Sequence, residues 1–149
     1  MDDESLIAEA ARHAGEFALA KPSLTAGTVA CALLTAAGNV YTGINIDLAC
    51  GIGFCAEHAA VAAMLNARET RVAVIVAVNH RGRILPPCGR CRELLAQVDR
   101  ANRAGCRVLL PPAPVPMAVT AAADPAAPTP PCRAALLGDL LPEPWMEGK

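Results

Sequence analysis

The sequence predicts a single α/β domain in which helices cover both faces of a mixed sheet. Its 149 residues, 54% of them hydrophobic, are enough for one domain with a substantial core. Segments with helical periodicity alternate with β-rich segments in the order α, β, β, α, β, α, β. One β-rich segment, residues 72–78, is apolar without a break, as is typical of a central strand covered on both faces. A helix layer on each face makes this a three-layer α/β/α fold.

The first three elements are predicted from charge, periodicity and turn residues. Acidic residues 2–4 favour the start of a helix, and apolar residues at helical spacing continue to residue 21, so we expect one amphipathic helix up to that point. Residues 29–35 and 40–46 are β-rich, and the sequence between them, Ala36-Ala37-Gly38-Asn39, is typical of a hairpin turn.

The next elements alternate helix and strand. Residues 55–69 favour a helix with a buried, alanine-rich face, and residues 71–79 contain the apolar strand. Pro86-Pro87 interrupts the chain before a further helix at residues 88–100, and residues 107–110 are the strand that follows it.

The C-terminal third of the chain differs in composition. Residues 111–131 are rich in Pro and Ala, so we expect an exposed, partly disordered insertion there. Ordered chain is expected to resume at residues 132–141, and residues 139–149 form a C-terminal tail. The whole of residues 1–149 is predicted to be one domain.

Charge and composition argue against several classes of partner. Thirteen Lys and Arg residues against fourteen Asp and Glu residues give a net charge of −1, without the basic excess that a nucleic-acid-binding surface needs. The uncharged segment 22–46 is interrupted by polar and turn residues, so we expect no membrane span. The acidic N-terminus lacks the features of a secretory signal, which predicts a cytoplasmic protein. Seven cysteines then indicate metal or thiol chemistry rather than disulfides.

Two short segments carry the candidate chemistry, Cys55-Ala56-Glu57 and Pro87-Cys88-Gly89-Arg90-Cys91. Each lies where a helix is predicted to begin, so that free backbone N–H groups and the helix dipole favour a thiolate. Because both helices follow strands of one sheet, their N-termini can converge, and three sulfurs can meet at one ion. Three protein ligands on Zn²⁺ leave a fourth position for water, as in catalytic zinc sites. Glu57 is then close enough to transfer protons.

These segments resemble the signature of the zinc-dependent cytidine deaminase family, with Cys55 at the position that polynucleotide-editing relatives fill with His. Further similarity to the small cytidine deaminases and the related blasticidin S deaminases lies at residues 32–34, 38, 41–45, 88–95 and 140–142. It covers most of residues 1–110 and the C-terminal tail, but not the Pro/Ala-rich insertion. The fold that it implies is a cytidine-deaminase-like three-layer α/β/α fold with a mixed sheet of about five strands.

The resemblance implies zinc-dependent hydrolytic deamination of a cytosine-type nucleoside, in which cytidine or deoxycytidine gives uridine or deoxyuridine and ammonia. It makes Cys55, Cys88 and Cys91 the ligands of one Zn²⁺ per subunit, and Glu57 the catalytic acid and base. The residues that it implies in substrate binding are Asn45, Asp47, Phe54, Ala56, Pro86 and Trp145. The implied partners are a small-molecule nucleoside and further copies of the chain in a homotetramer, but no nucleic-acid polymer.

Three positions depart from the family pattern. Asp47 stands where cytidine deaminases usually have a Glu, which is longer by one methylene. Gly27 stands near the position of an aromatic residue that stacks on the base, so either the pocket is wider or Phe54 takes that role. His58 replaces the family Arg after Cys-Ala-Glu, so the cation that compensates three thiolates must come from Arg90, Arg92 or His58 itself.

Three alternatives stay open at this point. The tail around Trp145 resembles that of blasticidin S deaminases, so the substrate can be blasticidin S or another cytosine nucleoside analogue. His58 lies three residues after Cys55 and can complete a structural Cys3His zinc site. Cys88-Gly89-Arg90-Cys91 at a helix start also has the local form of a thiol oxidoreductase motif.

Overall fold

The computed structural model describes residues 1–112 and 132–145. Its elements, in chain order, are α1 (Asp3–His13), β1 (Leu19–Lys21), β2 (Leu24–Thr35), β3 (Val40–Leu48), α2 (Ala56–Asn66), β4 (Val72–Asn79), β5 (Ile84–Leu85), α3 (Gly89–Val98), α4 (Asn102–Gly105), β6 (Arg107–Leu110), β7 (Arg133–Leu136) and α5 (Leu137–Leu140). Among the described residues, no helix has both the length and the apolar character needed to cross a bilayer.

One mixed sheet holds all seven of the described strands. Its main path runs β1-β2-β4-β6-β7, with β3 paired to β2 and β5 paired to β4. The pair β4–β6 is parallel and the other pairs are antiparallel. The parallel pair is connected through α3, which returns the chain to the same end of the sheet. This crossover places the start of α3 beside the end of β4, where the candidate site lies.

The period of two along β4 divides the core into two layers. Val74, Val76 and Val78 pack with Leu6 and Ile7 of α1 on one face of the sheet. On the other face, residues of β2, β4 and β6 pack with both α2 and α3; they include Cys31, Leu33, Ile75, Ala77, Ala60, Met64, Leu95 and Val108. Successive side chains of a strand point to opposite faces, so an apolar run of this kind requires a cover on each side. The predicted three-layer α/β/α fold is therefore confirmed.

The first helix is shorter than predicted. It begins with Asp2 as its N-cap, whose carboxylate accepts a hydrogen bond from the Ser5 N–H at 2.8 Å, but it ends at His13. Gly15 follows with φ +83°, a left-handed conformation that commonly terminates helices. The expected continuation to residue 21 is wrong, because residues 19–21 pair with β2 and Phe17 is exposed.

The other predicted elements agree with the structure except at their ends. The hairpin is longer than predicted because β2 begins at Leu24 and β3 continues to Leu48. The strand at residues 107–110 matches β6, and α2 and α3 lie within the predicted helices. The sheet exceeds the predicted five strands because β1 and β5, of three and two residues, are too short to leave a periodic pattern.

The predicted Pro/Ala-rich insertion at residues 111–131 falls mostly outside the described residues. Chain description resumes at Cys132, immediately before β7 and α5. β7 pairs antiparallel with β6, and Leu137 of α5 is completely buried in the core beside α3. The single-domain organisation of residues 1–149 stays a prediction.

Candidate active site

The start of α2 is held against β3 by a short backbone bridge. Phe54 and Ile46 exchange both backbone hydrogen bonds, with N···O distances of 2.8 and 3.0 Å. This bridge brings the chain to Cys55, which is the N-cap residue of α2 and has an extended conformation. The Cys55 thiol therefore lies at the end of the helix where backbone N–H groups lack intrahelical partners.

The start of α3 presents two further thiols. Cys88 is the N-cap of α3, and Cys91 lies one helical turn later, so both side chains lie on the same face of that helix near its start. Cys88 is exposed and Cys91 is completely buried. Pro87, directly before Cys88, is buried.

The structure brings these three thiols together. The Sγ atoms of Cys55 and Cys88 are 3.6 Å apart, and those of Cys88 and Cys91 are 3.4 Å apart. All three lie within 4.8 Å of one another. Tetrahedral Zn²⁺ with Zn–S bonds of about 2.3 Å requires sulfur–sulfur separations of about 3.8 Å. The donor type and the spacing therefore fit one zinc ion bound by three sulfurs.

Burial and backbone hydrogen bonds act in opposite directions on these thiols. Burial raises the pKa of Cys55 and of Cys91. At Cys88, burial also raises the pKa, but hydrogen bonds from the backbone N–H groups of Cys91 and Arg90 and from the neighbouring thiols outweigh it, so its pKa is lowered. The predicted stabilisation of a thiolate at a helix start thus operates at Cys88. The other two thiols need a cation to offset their burial.

Glu57 is buried beside the thiols. It is the second residue of α2, and only 5% of its surface is exposed. Its negative charge is one of the causes of the raised pKa values of Cys55 and Cys91, and Glu57 lines a small cavity together with Pro87, the residue before Cys88. Among the described residues, no side chain donates a hydrogen bond to this carboxylate. Its oxygens are therefore available to a molecule bound at the thiols.

Asn45 and Asp47, predicted to bind substrate, are linked to each other and to β2. The Asn45 side-chain oxygen accepts hydrogen bonds from the Val29 N–H at 2.8 Å and the Thr28 hydroxyl at 3.3 Å. Its amide nitrogen donates to Asp47 Oδ2 at 2.7 Å. The register of β2 against β3 shifts between Ala26 and Ala30, opposite Asn45. Asn45 therefore supplies the partner that this β-bulge withholds from Val29.

Phe54 and His58 lie next to each other at the start of α2. Their rings are nearly parallel, with an interplanar angle of 10° and centroids 6.4 Å apart. His58 does not join the three thiols as a ligand within the metal-binding group of the described residues. Burial and the nearby Arg90 lower the pKa of His58, which opposes its predicted role as the compensating cation. The alternative of a structural Cys3His zinc site is therefore not supported.

The other predicted substrate residues differ in their burial. Ala56 is fully buried at the first position of α2, and Pro86 is exposed in the segment that precedes Cys88. Trp145 is 69% exposed, and its backbone N–H donates to Glu93 Oε1 of α3 at 3.1 Å. Its backbone therefore lies beside α3, the helix that holds two of the thiols.

Sequence reasoning considered Arg92 only as a source of positive charge and missed its contacts. The Nε group donates to the Pro87 carbonyl at 2.9 Å, and Nη1 donates to the Leu140 carbonyl at 3.0 Å. The double proline before Cys88 was the available clue, because proline has no N–H and such a loop has to be held through its carbonyl groups.

Comparison with known proteins agrees with the site. A family profile described as the cytidine and deoxycytidylate deaminase zinc-binding region matches residues 1–104. The chain belongs to the cytidine and deoxycytidylate deaminase family. This membership and the three-thiol group confirm the predicted family and the predicted zinc cofactor. Membership of this family also argues against the thiol-oxidoreductase alternative.

Individual members of the deaminase family show the extent of the similarity. Cytidine deaminase of Mycobacterium tuberculosis is 37% identical over 70 residues, which cover 46% of this chain and 53% of that protein. Cytidine deaminase of Halalkalibacterium halodurans is 36% identical over 75 residues, which cover 50% and 57% of the two chains. The chain thus matches about half the length of these curated relatives.

Solved structures extend the similarity along the chain. The crystal structure of the Mycobacterium tuberculosis cytidine deaminase has a TM-score of 0.69 at 26% identity, covering 97% of this chain and 98% of that chain. The cytidine deaminase of Burkholderia pseudomallei has a TM-score of 0.68 at 24% identity and covers 97% and 100%. At that identity, the second match supports the fold alone.

Proposed function

We propose that this protein is a zinc-dependent cytidine deaminase, which hydrolyses cytidine or deoxycytidine to uridine or deoxyuridine and ammonia. The observation that carries this proposal is the meeting of Cys55, Cys88 and Cys91 within 4.8 Å, with the buried Glu57 beside them. Three sulfur ligands leave one position of a tetrahedral ion for a reacting molecule. The curated relatives with matching segments are cytidine deaminases, which favours cytidine as the substrate class.

Each group at the site has a role in this proposal. Cys55, Cys88 and Cys91 would hold the ion, which when bound supplies the Lewis acidity that lowers the pKa of water to about 7. Glu57 takes one proton from the attacking water and delivers it to the ring nitrogen N3. After the oxygen has bonded to C4, Glu57 takes the remaining hydroxyl proton and delivers it to the amine, so that the C4–N bond breaks and ammonia leaves. Its burial and its lack of a side-chain donor among the described residues favour such transfers, because no internal hydrogen bond occupies the carboxylate oxygens.

The predicted substrate contacts are proposals of the same kind. Ala56 is the first residue of α2, so its N–H has no intrahelical acceptor and can bind the ring carbonyl oxygen. The exposed Pro86 can accept a hydrogen bond from the amine through its carbonyl. Asn45 and Asp47 would face the sugar, and because Oδ1 of Asn45 is already bound to Val29, Asn45 acts there through its remaining N–H. Phe54 and Trp145 are the candidate aromatic contacts.

The space around Gly27 bears on the alternative that the substrate is a nucleoside analogue. Its φ is +82°, and a Cβ atom at this position would lie 1.8 Å from the Phe17 carbonyl oxygen. An aromatic side chain therefore does not fit here without rearrangement, which favours a wider site than one closed by a stacking ring. The comparisons favour cytidine over blasticidin S, so blasticidin S is included as a second substrate in the test.

The homotetramer and the cytoplasmic location are also proposals. Ile52 and Leu65, near the two ends of α2, are 75% and 43% exposed, and apolar side chains of this kind are suited to burial between subunits. Light scattering coupled to gel filtration tests the assembly. A mass of four chains supports the tetramer, and a monomer at micromolar concentration contradicts it.

The function is tested by ultraviolet assays of purified, zinc-loaded protein with cytidine, deoxycytidine and blasticidin S in parallel. We expect turnover of cytidine or deoxycytidine, with ammonia released in equal amount. Turnover of blasticidin S alone would replace the substrate while retaining the chemistry. Stoichiometric zinc without turnover of any of the three would contradict the proposed activity.

A further inference from the structure

The segment before Cys88 cannot be held in place by its own amide groups. Residues 86 and 87 are both proline, so neither has a backbone N–H to donate to a neighbouring strand or loop. Pro87 is nevertheless buried, and a buried carbonyl group needs a hydrogen-bond donor. The position of Cys88, the next residue, therefore depends on whatever group binds the Pro87 carbonyl.

Arg92 provides that donor and connects it to a distant part of the chain. It lies in the first turn of α3, and its backbone N–H donates to the Cys88 carbonyl at 3.1 Å. Its side chain donates from Nε to the Pro87 carbonyl at 2.9 Å and from Nη1 to the Leu140 carbonyl at 3.0 Å. A guanidinium group is planar and rigid, so two such bonds fix two carbonyl groups at a set separation.

The helix that ends at Leu140 packs against the core through its first residue. Leu140 ends α5, whose first residue, Leu137, is completely buried and donates its N–H to the Cys106 carbonyl at 3.0 Å. The segment that follows is also bound to α3 and α4. The Arg103 side chain donates to the Pro142 carbonyl at 3.1 Å, and Glu93 accepts from the Trp145 N–H. Arg92 thus connects the thiol-bearing loop to an anchored C-terminal segment.

We infer that Arg92 is a positioning residue for the zinc site: by tying the Pro87 carbonyl to the Leu140 carbonyl, it holds Cys88 where its sulfur meets those of Cys55 and Cys91. This inference rests on the zinc site proposed above. Arg92 itself is not a metal ligand, because a guanidinium is permanently protonated and has no lone pair to offer. Its contribution is to keep the three sulfurs close to the separation that zinc requires. Loss of a partner that orients a ligand typically weakens metal binding about 10- to 100-fold.

The test is the metal affinity of full-length Arg92→Met, measured by competition with a chromophoric chelator, together with its Co²⁺ absorption spectrum. Methionine keeps a long, flexible side chain but has no donor. We expect zinc affinity to fall about 10- to 100-fold, and the cobalt spectrum to lose intensity from distortion of the tetrahedral site. Arg92→Lys keeps the charge and can reach only one carbonyl, so it should recover part of the affinity. This rescue separates a positioning role from general damage to the fold.

Arg103→Met is the matched control. It removes an arginine of α4, outside the thiol-bearing helix α3, whose side chain binds the same C-terminal segment at the Pro142 carbonyl. We expect its zinc affinity and cobalt spectrum to be those of the wild type. Zinc affinity of folded Arg92→Met within twofold of wild type would overturn the inference. If Arg92→Met does not fold, wild-type affinity in Arg92→Lys would overturn it equally.

The same measurements separate this inference from the proposed function. Zinc binding that depends on Arg92, in a protein that does not deaminate cytidine, supports the positioning role while contradicting the substrate. A wild-type protein that deaminates cytidine, with zinc affinity independent of Arg92, supports the function and overturns the positioning role.

Discussion

Two buried polar side chains of the candidate site differ in their hydrogen bonding. Asn45 and Glu57 are 7% and 5% exposed. The Asn45 amide is engaged by Val29, Thr28 and Asp47, whereas no described side chain donates to the Glu57 carboxylate. A buried carboxylate that accepts no side-chain hydrogen bond has its oxygens available to a bound molecule. This contrast is consistent with the proposed proton transfer by Glu57, and it shows that Asn45 also holds the β-bulge in place.

Glu57→Gln should separate proton transfer from metal binding. The amide has the size of the carboxylate but does not exchange protons, so we expect normal zinc content and a fall in kcat of at least about 100-fold. Zinc by elemental analysis and steady-state kinetics measure the two effects. Glu4→Gln, in the exposed first turn of α1, is the control and should behave as wild type. Loss of zinc in Glu57→Gln would instead make Glu57 a ligand.

Asn45→Ala should destabilise the protein even without substrate. It leaves the Val29 N–H at the β-bulge without its acceptor, and such a loss costs about 1–3 kcal/mol. Urea denaturation measures the change. Asn66→Ala, at the exposed end of α2, should change stability by less than about 0.5 kcal/mol. Unchanged stability of Asn45→Ala with a raised KM would show that Asn45 acts mainly on the substrate.

At the scale of elements, helix starts and strand irregularities build the site together. The N-termini of α2 and α3 bring three thiols to one point, and backbone N–H groups at α3 lower the pKa of Cys88. The bulge in β2 lies across β3 from this region and contains Gly27, at φ +82°. Bulges redirect a strand and the side chains beside it, so this one belongs to the architecture of the site.

Gly27→Ala should be much more destabilising than Gly38→Ala. Both glycines have positive φ, +82° and +90°, so both substitutions carry a conformational cost of about 1–2 kcal/mol. A Cβ atom at Gly27 would also lie 1.8 Å from the Phe17 carbonyl oxygen, whereas nothing lies within 4 Å at Gly38. We expect losses of about 2–5 and 1–2 kcal/mol, respectively, in the free energy of unfolding. Equal losses would show that the backbone at Phe17 moves away from the added Cβ atom at little cost.

Glu69 should make stability depend on acid pH. It binds the end of the β2–β3 hairpin, and hydrogen bonds from Thr35, Tyr41 and Asn39 lower its pKa from 4.5. A lowered pKa in the folded state contributes stability above the unfolded pKa, and this contribution is lost as the pH falls through the folded value. The difference in Tm between wild type and Glu69→Gln should therefore shrink as the pH falls below 4.5. A difference independent of pH over that range would exclude this linkage.

At the scale of the whole molecule, the zinc site joins segments that are far apart in the chain. Cys55 follows β3, Cys88 and Cys91 begin α3, and Arg92 connects this region to Leu140 near the C-terminus. A ligand that binds only the folded state stabilises it by about 2.7 kcal/mol at 100 times its Kd. Metal binding is therefore coupled to the stability of the complete domain.

Removal of zinc should lower the Tm. For a chain of 149 residues, about 2.7 kcal/mol corresponds to roughly 5–11 °C. Calorimetry with and without a chelator measures the shift. Cys88→Ser should have a low Tm that no longer responds to the chelator. Cys50→Ser, which changes an exposed cysteine outside the thiol cluster, should keep the full response. A Tm unaffected by chelation in zinc-containing wild type would contradict the coupling.

Local patterns were sufficient to predict most of this molecule. The apolar run of β4, the hairpin turn before β3 and the paired motifs at the starts of α2 and α3 are each encoded within a few residues, as are the three-layer fold and the candidate zinc ligands that they imply. Periodicity, turn chemistry and helix capping act over such distances, so they can be read without knowledge of the fold.

Other features depended on contacts between distant segments. The early end of α1, the short strands β1 and β5, the engagement of Asn45 by Val29 and the bonds of Arg92 to Pro87 and Leu140 have no local signature. A short strand forms because a partner strand offers free hydrogen-bonding groups, and a long side chain finds its carbonyl partners only after the sheet has brought them within reach. The local sequence of residues 88–92 identifies the thiols and the arginine. Only the packing of α3 against α5 determines which carbonyl groups Arg92 binds.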